Sequence, residues 1–469
     1  MKNSIKKIKY LLRRNVRQGK FRRTWSIFHY VENMWKFHSA KRFKNWLRFK
    51  YQVLSKRMAV LKIGAGINNG VFYLGLRMTR SAPLRVVKIP RFDNQYSAAL
   101  YKKVRSPEGW REYSEYLTQL HLDAVMGKHF PVVHEVHRDG GYESDFIDGV
   151  NLNEIRDAAR RNLQLPEKIT PKNIVAAIEE LLQHLRQSAT KHGRLNGDWA
   201  PHNMIYQPEK STIFNVDLEG MLLYDPEHIE AKIEYIEAEL KSIVTALELR
   251  ASDTEESREI LSVLAECVRV SESGHSYSGN AFFAGYHTLN LRDRVFNGQR
   301  RAAWRLSKIP LDFSGKNVLD IGCNSGGMLH ALADNIALGI GIDRDPQAIK
   351  AANLVARVNA KANLKFHTFD IEHDAFERIV ELFDEKKINI CMMLSICMWI
   401  NNCREVMRFA AGITEHVLIE TNGSPLQQSQ QEKWLREVFQ NVNKLDPESL
   451  DDYQQNKRTM FLCNKIKQF

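Results

Sequence analysis

The chain has 469 residues and no run of about 20 apolar residues, so no segment reads as a membrane-spanning helix. Its first residues are charged throughout and lack the apolar stretch of a secretory signal, so a cytoplasmic protein is expected. Cysteine is scarce: Cys267, Cys323, Cys391, Cys397, Cys403 and Cys463 include no C-x-x-C pair and join no His/Cys cluster of zinc spacing. A disulfide scaffold and a structural zinc site are therefore not expected, and reduced, buried thiols are. Cys391 and Cys397 stand in an apolar run and read as core. There is no internal repeat and no low-complexity tract. Acids are nearly missing from residues 1–60, which hold eighteen Lys and Arg against Glu32 alone. That stretch carries +17, and residues 61–469 sum to −4.

Basic clusters in this arm alternate with aromatics, among them Trp25, Phe28, Trp35 and Tyr51. Phe43, Trp46, Leu47, Tyr51 and Leu54 fall on one helical face, with Lys41, Lys44 and Arg48 towards the other side. An amphipathic helix of this kind over residues 1–57 suits an anionic membrane surface, here the inner face of the cytoplasmic membrane. Nucleic acid is the alternative partner. A helix packed on the next domain is the third reading.

From Val60 the texture changes. Short β-like runs at Ala59–Ile63, Val71–Leu76 and Arg85–Ile89 precede a helical run at Trp110–Leu120 and a β-like run at Tyr142–Ile147. Gly64, Gly66 and Gly70 lie between the first two runs, where glycine lets backbone close over phosphates. Lys88 sits on the third run. Further on, Asn196-Gly197-Asp198-Trp199-Ala200-Pro201-His202-Asn203 spaces an Asp and an Asn five apart, as a kinase catalytic loop does. Asp198 would orient the attacking hydroxyl, and Asn203 would reach a magnesium ion. The run Thr212–Val216 leads into Asp217-Leu218-Glu219, with Asp217 at the place of the metal-binding Asp of the DFG motif and Leu218-Glu219 in place of Phe-Gly. Glu112, or Glu115 at indistinguishable spacing, is the helix carboxylate expected to hold Lys88. Asp145 and Phe146 lie in the segment expected to present backbone to adenine.

Taken together, these parts resemble the aminoglycoside phosphotransferase and lipopolysaccharide-kinase branch of the kinase fold, which carries Gly-Asp-x-x-x-x-Asn and Asp-x-Glu. The resemblance covers roughly residues 58–265 and implies ATP and Mg2+ as cofactors. No Ala-Pro-Glu segment follows Asp217, which argues against a protein substrate.

The second constellation is Asn317-Val318-Leu319-Asp320-Ile321-Gly322-Cys323-Asn324-Ser325-Gly326-Gly327, an apolar strand ending in Asp-x-Gly-x-x-x-Gly before a helix. Glycine there allows close approach of backbone to a ligand at the carboxyl edge of a sheet. Asp343 ends the second strand, where an acid can bind ribose hydroxyls. Asp370 follows the third, within reach of an adenine amino group. The spacing differs from the dinucleotide pattern G-x-G-x-x-G. It resembles class I S-adenosylmethionine-dependent methyltransferases, over residues 286–469. No Asn/Asp-Pro-Pro-aromatic motif and no Pro-Cys nucleophile is present. Trp399 is placed beside the donor or in plain core. Gln299 and Arg300 could face the acceptor, and Arg292, Arg294 and Arg301 could join Arg300 on a phosphate.

The expected architecture is a basic aromatic arm (1–57), an α+β kinase-like two-lobe domain (58–270), a Ser/Gly-rich linker (271–285) and an α/β Rossmann-like class I methyltransferase domain (286–469). The pairing resembles the bifunctional enzymes that cap O-antigen polysaccharides by phosphorylating a terminal sugar and methylating the phosphate. In those the methyltransferase comes first, so the resemblance extends to the pair of activities. It implies a glycan or lipid-linked saccharide substrate. The alternatives are an RNA-modifying methyltransferase with an accessory kinase-like domain, and a methyltransferase regulated by a nucleotide-binding pseudokinase.

Overall fold

A computed structural model describes residues 58–62, 72–77, 85–90, 102, 104–138, 140–192, 197–218, 229–273, 282–384, 386–445 and 458–466. The basic arm, the glycines at 64, 66 and 70, and Glu219 lie outside them. No helix among the described residues is long and apolar enough to cross a membrane.

Strands β1 (Met58–Lys62), β2 (Phe72–Arg77) and β3 (Arg85–Pro90) pair antiparallel. Helix α1 (Pro107–Gln119) begins before the expected Trp110. The Ser106 hydroxyl caps it by accepting from Gly109 N at 3.0 Å, and Pro107 presets its first turn. Strands β4 (Val133–Val136) and β5 (Tyr142–Asp145) complete a five-stranded sheet in the order β1-β2-β3-β5-β4. β4 escaped the sequence reading because His134 and Glu135 interrupt its apolar residues. Strand β6 (Val150–Asn151), helices α2 (Leu152–Arg160) and α3 (Pro171–His192), and strands β7 (Met204–Gln207) and β8 (Thr212–Asn215) follow, with β6-β7-β8 forming a small antiparallel sheet. Two long helices come next, α4 (Ile229–Ser252) and α5 (Glu255–Ser273).

The chain forms two compact units. One takes Met1–Glu154 and Ala176–Ile236, the other Ile155–Val175 and Glu237–Phe469. This grouping differs from the expected 58–270 and 286–469, and α5 takes in the first residues of the expected linker. The reason is polar satisfaction in a dry interior. Buried Glu239 on α4 accepts from Phe283 N at 2.9 Å and from Asn297 Nδ2 at 2.7 Å, and pairs with Arg156 at 3.2 Å. Ser242 Oγ accepts from Asn297 N at 2.8 Å, and Arg250 donates to the carbonyls of Ala158 and Leu163. Leaving a buried group of this sort without its partner costs about 1–3 kcal/mol, so residues 155–175 and 237–273 go with the C-terminal unit.

In that unit strands β9 (Leu289–Leu291) and β10 (Arg294–Phe296) form a hairpin before helix α6 (Ala302–Ser307). Then come β11 (Asn317–Ile321), α7 (Gly327–Leu332), β12 (Leu338–Asp343), α8 (Pro346–Val358), β13 (Leu364–Thr368), α9 (Glu377–Glu381), β14 (Ile390–Leu394), α10 (Cys403–Ile413), β15 (His416–Glu420), α11 (Pro425–Val438), β16 (Phe439–Lys444) and β17 (Met460–Ile466). The seven-stranded sheet runs β13-β12-β11-β14-β15-β17-β16, with β17 antiparallel to both its neighbours. This is the expected doubly wound α/β fold. Both faces are covered, which is why its central strands read as unbroken apolar runs. Val318, Ile390, Met392 and Leu418 pack into the core on one face, with Met328 and Ile349. Leu319, Ile321, Cys391, Val417 and Ile419 pack into the other, with Val406 and Leu435. Each side chain so buried contributes about 1.5–3 kcal/mol. All six cysteines are buried and free, as expected.

Candidate active sites

The strand order of the C-terminal unit reverses between β11 and β14, so a crevice opens at the carboxyl ends of these strands. A cavity of about 300 Å³ occupies it, lined by Asp320, Gly322, Asn324, Asp343, Asp370 and Trp399 among others. Gly322 (φ +77°) turns the chain at the end of β11, and its N donates to Ile342 O at 2.8 Å. A Cβ there would meet Ile396 Cγ2 at 2.2 Å. Gly326, also at φ +77°, caps α7, and a Cβ on it would strike the Phe366 ring at 2.5 Å. Both positions demand glycine.

Asp343 braces the loop. Its Oδ2 accepts from Asn324 N and its Oδ1 from Asp345 N, each at 2.9 Å. Every carboxylate oxygen has two acceptor sites, so capacity for a ligand hydroxyl remains. Burial, together with the charge of Asp343, pushes Asp320 up to about 7, and burial raises Asp343 as well. Asp370 is open to solvent and held low by its hydrogen bond from His373. Acids at the ends of three adjacent strands, over a glycine cradle that leaves a cavity, suit a ligand bearing a ribose diol, an adenine amino group and a cationic centre. Trp399 lies at the rim, half-exposed, and not in the core.

The opposite wall is basic, and most of it carries no sequence motif. Glu420 ends β15 inside the protein and accepts from Arg305 Nη2 at 2.6 Å and from the Ser395 hydroxyl. Arg458 Nη1 reaches Ser395 Oγ at 2.7 Å and Glu420 Oε2 at 3.7 Å. Burial alone would raise Glu420, but Arg305, Arg300 and Arg458 outweigh it and hold the carboxyl at about 2. Burial and the charges of Arg305 and Arg300 press buried His287 down to about 3, so it stands neutral. Gln299, Arg305, Arg458 and His287 line the cavity, and Arg300 lies buried behind them. Of the arginines expected near a phosphate, Arg292 is instead drawn to Glu256 and Glu259 on α5. Arg294 and Arg301 are exposed, and neither lines the cavity.

The N-terminal unit gathers a separate cluster. Asn203 Nδ2 donates to Asp198 Oδ2 at 3.1 Å and to Asp217 Oδ2 at 3.3 Å, and Lys88 Nζ meets Asp217 Oδ1 at 2.8 Å. Two backbone bonds zip the loop onto the segment after β8: Asp198 N to Asp217 O at 3.2 Å, and Val216 N to Asn203 O at 2.9 Å. Trp199 is buried against Phe130 and anchors the loop. Gly197 (φ +80°) permits its turn. The Asp217 carboxylate and, with its amide turned over, the Asn203 side-chain oxygen are hard donors of the kind Mg2+ takes. Among the described residues Asp217 is a carboxylate on Lys88, and Glu112 and Glu115 lie on the exposed side of α1. Asp145 Oδ1 bonds His134 Nε2 at 2.6 Å, and Phe146 beside it is exposed. Lys232, unremarked in the sequence, lies 3.7 Å from Asp198 Oδ1.

Residues 312–456 match the family model of a methyltransferase domain. No curated protein matches the chain in sequence. Among solved structures the chain is similar to EvdMO1 (13% identity, 41% of this chain and 45% of that one, TM-score 0.30). It is similar also to the N-terminal domain of EvdMO1 with SAH bound (12%, 36% and 82%, TM-score 0.30). A third is the bifunctional kinase-methyltransferase WbdD (18%, 36% and 40%, TM-score 0.28). The chain thus spans less than half the length of full EvdMO1 and of WbdD. The strand order and the family match thus agree on an α/β domain within the C-terminal unit that is similar to methyltransferase domains.

Proposed function

We propose that the chain is a bifunctional transferase: its N-terminal unit phosphorylates a sugar or lipid-linked glycan from ATP, and its C-terminal unit methylates that product, in surface-polysaccharide synthesis. The observation that carries the pairing is the convergence of Lys88, Asp198, Asn203 and Asp217 from three separate segments onto one cluster. It shares a chain with a methyltransferase domain.

In the first reaction Asp198 orients the attacking hydroxyl, Asn203 and Asp217 hold Mg2+, and Lys88 engages the phosphates. The bound metal would neutralise charge on the transferring group. In the second, S-adenosylmethionine supplies an electrophilic methyl group. Asp343 and Asp370 hold its ribose and adenine, Asp320 sits by the glycine turn, and the half-exposed Trp399 offers an apolar face to a sugar ring. His287 at about 3 and Glu420 at about 2 are too weakly basic to take a proton from a hydroxyl at neutral pH. A phosphate acceptor needs no such base, since it is already ionised, and placement in line suffices. The basic arm would keep the enzyme at the anionic surface that bears its substrate.

The test supplies candidate lipid-linked glycans with labelled ATP and labelled S-adenosylmethionine and reads the products by mass spectrometry. A phosphate increment followed by a methyl increment on one glycan is expected. The Asp198→Ala enzyme should methylate a chemically phosphorylated glycan and leave the unphosphorylated one alone. Methylation of the unphosphorylated glycan at the normal rate would make the two units independent catalysts.

A further inference from the structure

Asp198 is met on both of its carboxylate oxygens. Oδ2 accepts from Asn203 Nδ2 at 3.1 Å, and Lys232 Nζ stands 3.7 Å from Oδ1 as an ion pair. The backbone of the same residue is tied down by Asp198 N donating to Asp217 O at 3.2 Å and by Asn203 Nδ2 donating to Asp198 O at 3.2 Å. An Asn203 amide turned over to offer its oxygen to Mg2+ gives up its hold on Oδ2. The Lys232 contact is the same for either orientation of that amide.

Lys232 comes from another part of the chain, near the start of α4, where residues up to Ile236 belong to the same compact unit as the cluster. A cation there stands at the positive end of the helix dipole, where an acid is favoured. Its place is therefore set from outside the helix, and the Asp198 carboxylate is a charge that offsets it. The Tyr235 ring, centred 5.5 Å from the ammonium, steadies it by a cation–π contact, and buried Ile236 anchors this end of the helix.

We infer that Lys232 is a positioning residue of the phosphoryl-transfer site, holding the Asp198 carboxylate charged and aimed at the acceptor. The inference rests on the phosphotransferase reading and adds to it a residue that no motif marks. In the reaction the acceptor oxygen forms the new O–P bond as the bond from the γ-phosphorus to the bridging oxygen breaks. The bridging oxygen keeps the electron pair and leaves on ADP, and the hydroxyl proton passes to Asp198. A carboxylate free to swing away from the acceptor loses the alignment on which the rate depends. Lys88, Asn203 and Asp217 serve the nucleotide and the metal from the other side of the cluster. Losing Lys232 therefore slows transfer and spares nucleotide affinity.

The experiment follows labelled phosphate from ATP to water, and to any lipid-linked glycan that takes it up, using the full chain and saturating Mg2+. Wild type is compared with Lys232→Gln and Lys232→Arg, and calorimetry gives the Mg·ADP affinity of each. Lys232→Gln should lower kcat at least tenfold, with KM for ATP and Mg·ADP affinity within twofold of wild type. The retained affinity shows that the unit is folded. Lys232→Arg keeps the charge and should restore kcat to within threefold of wild type. A smaller loss of kcat in Lys232→Gln overturns the inference and leaves phosphoryl transfer standing. A tenfold loss of Mg·ADP affinity in that variant overturns it too, because the lysine then serves the nucleotide. An arginine variant no faster than the glutamine one does the same, because the charge is then not what matters. Wild type that binds Mg·ADP and transfers no phosphate overturns it as a pseudokinase would. Wild type that binds no nucleotide sinks the phosphotransferase reading beneath it.

Discussion

Removing the charge of Glu420 should loosen β15 by an amount that the ionisation of this residue sets. Its carboxyl falls from 4.5 to about 2 on folding because Arg305, Arg300 and Arg458 outweigh the cost of burial. At about 1.4 kcal/mol for each tenfold change in proton affinity, the charged form gains about 3 kcal/mol in the folded protein. The side chain is almost wholly buried, so solvent screening takes little from that figure. Glu420→Gln leaves the arginines without their common partner, and breaking a buried pair from one side costs about 3–5 kcal/mol. The two estimates agree in size. Two compact units make a single unfolding midpoint hard to assign, so the assay is hydrogen exchange of the peptide across residues 416–420. At pH 7 the variant should exchange about a hundredfold faster there, if exchange follows opening of the unit. The sign with pH is fixed. A depressed carboxyl stabilises fully above its unfolded value, and the stabilisation is lost as pH falls from about 4.5 through about 2. The gap between wild type and variant should therefore close over that range. A variant less than tenfold faster at pH 7, or a gap unchanged down to pH 2, would refute the reasoning.

Gly322→Ala should weaken S-adenosylhomocysteine binding by at least tenfold in calorimetry, since its Cβ would press on Ile396 from a left-handed backbone. Asp198→Ala should abolish phosphoryl transfer while nucleotide binding survives, and Asp217→Ala should lose magnesium-dependent nucleotide binding. Equal loss of binding in both would contradict the separate roles. Deleting residues 1–57 should leave S-adenosylhomocysteine binding intact and release the protein from anionic vesicles at physiological salt, as co-sedimentation would show. Unchanged co-sedimentation would remove the membrane role of the arm.

That one set of residues would line a cavity at the strand ends was legible because they are local in sequence. A strand, a glycine turn and a helix follow one another within Asn317–Leu332, and Asp343 and Asp370 mark the ends of the next two strands. The basic wall was not. Arg305 and Glu420 are 115 residues apart and Ser395 and Arg458 are 63, and only the sheet brings them together. Arg292 looked equally suited to an anion, but no spacing could show that α5 would present Glu256 and Glu259 to it. The grouping of the two units departs from the sequence reading for a related reason. An amphipathic helix declares that it will pack, not against what, and the deciding partners of Glu239 and Ser242 lie beyond Ser273.

The interleaved division has a practical consequence for anyone who would separate the two units. Each unit is drawn from two stretches of chain, so no single cut liberates either one whole. A fragment beginning at 286 would forfeit Glu239, Ser242 and Phe283, and Asn297 would lose the partners that now satisfy its backbone and its amide. Such a fragment should be poorly soluble even with every donor-site residue in it. A fragment ending at 236 keeps Lys88, Asp198, Asn203 and Asp217 but carries residues 155–175 as an orphaned insert. During synthesis the first unit has all its residues once Ile236 has emerged, while the second must hold 155–175 in waiting until the last strand is made. Point substitution, not truncation, is thus the tool for altering one candidate site and leaving the other intact.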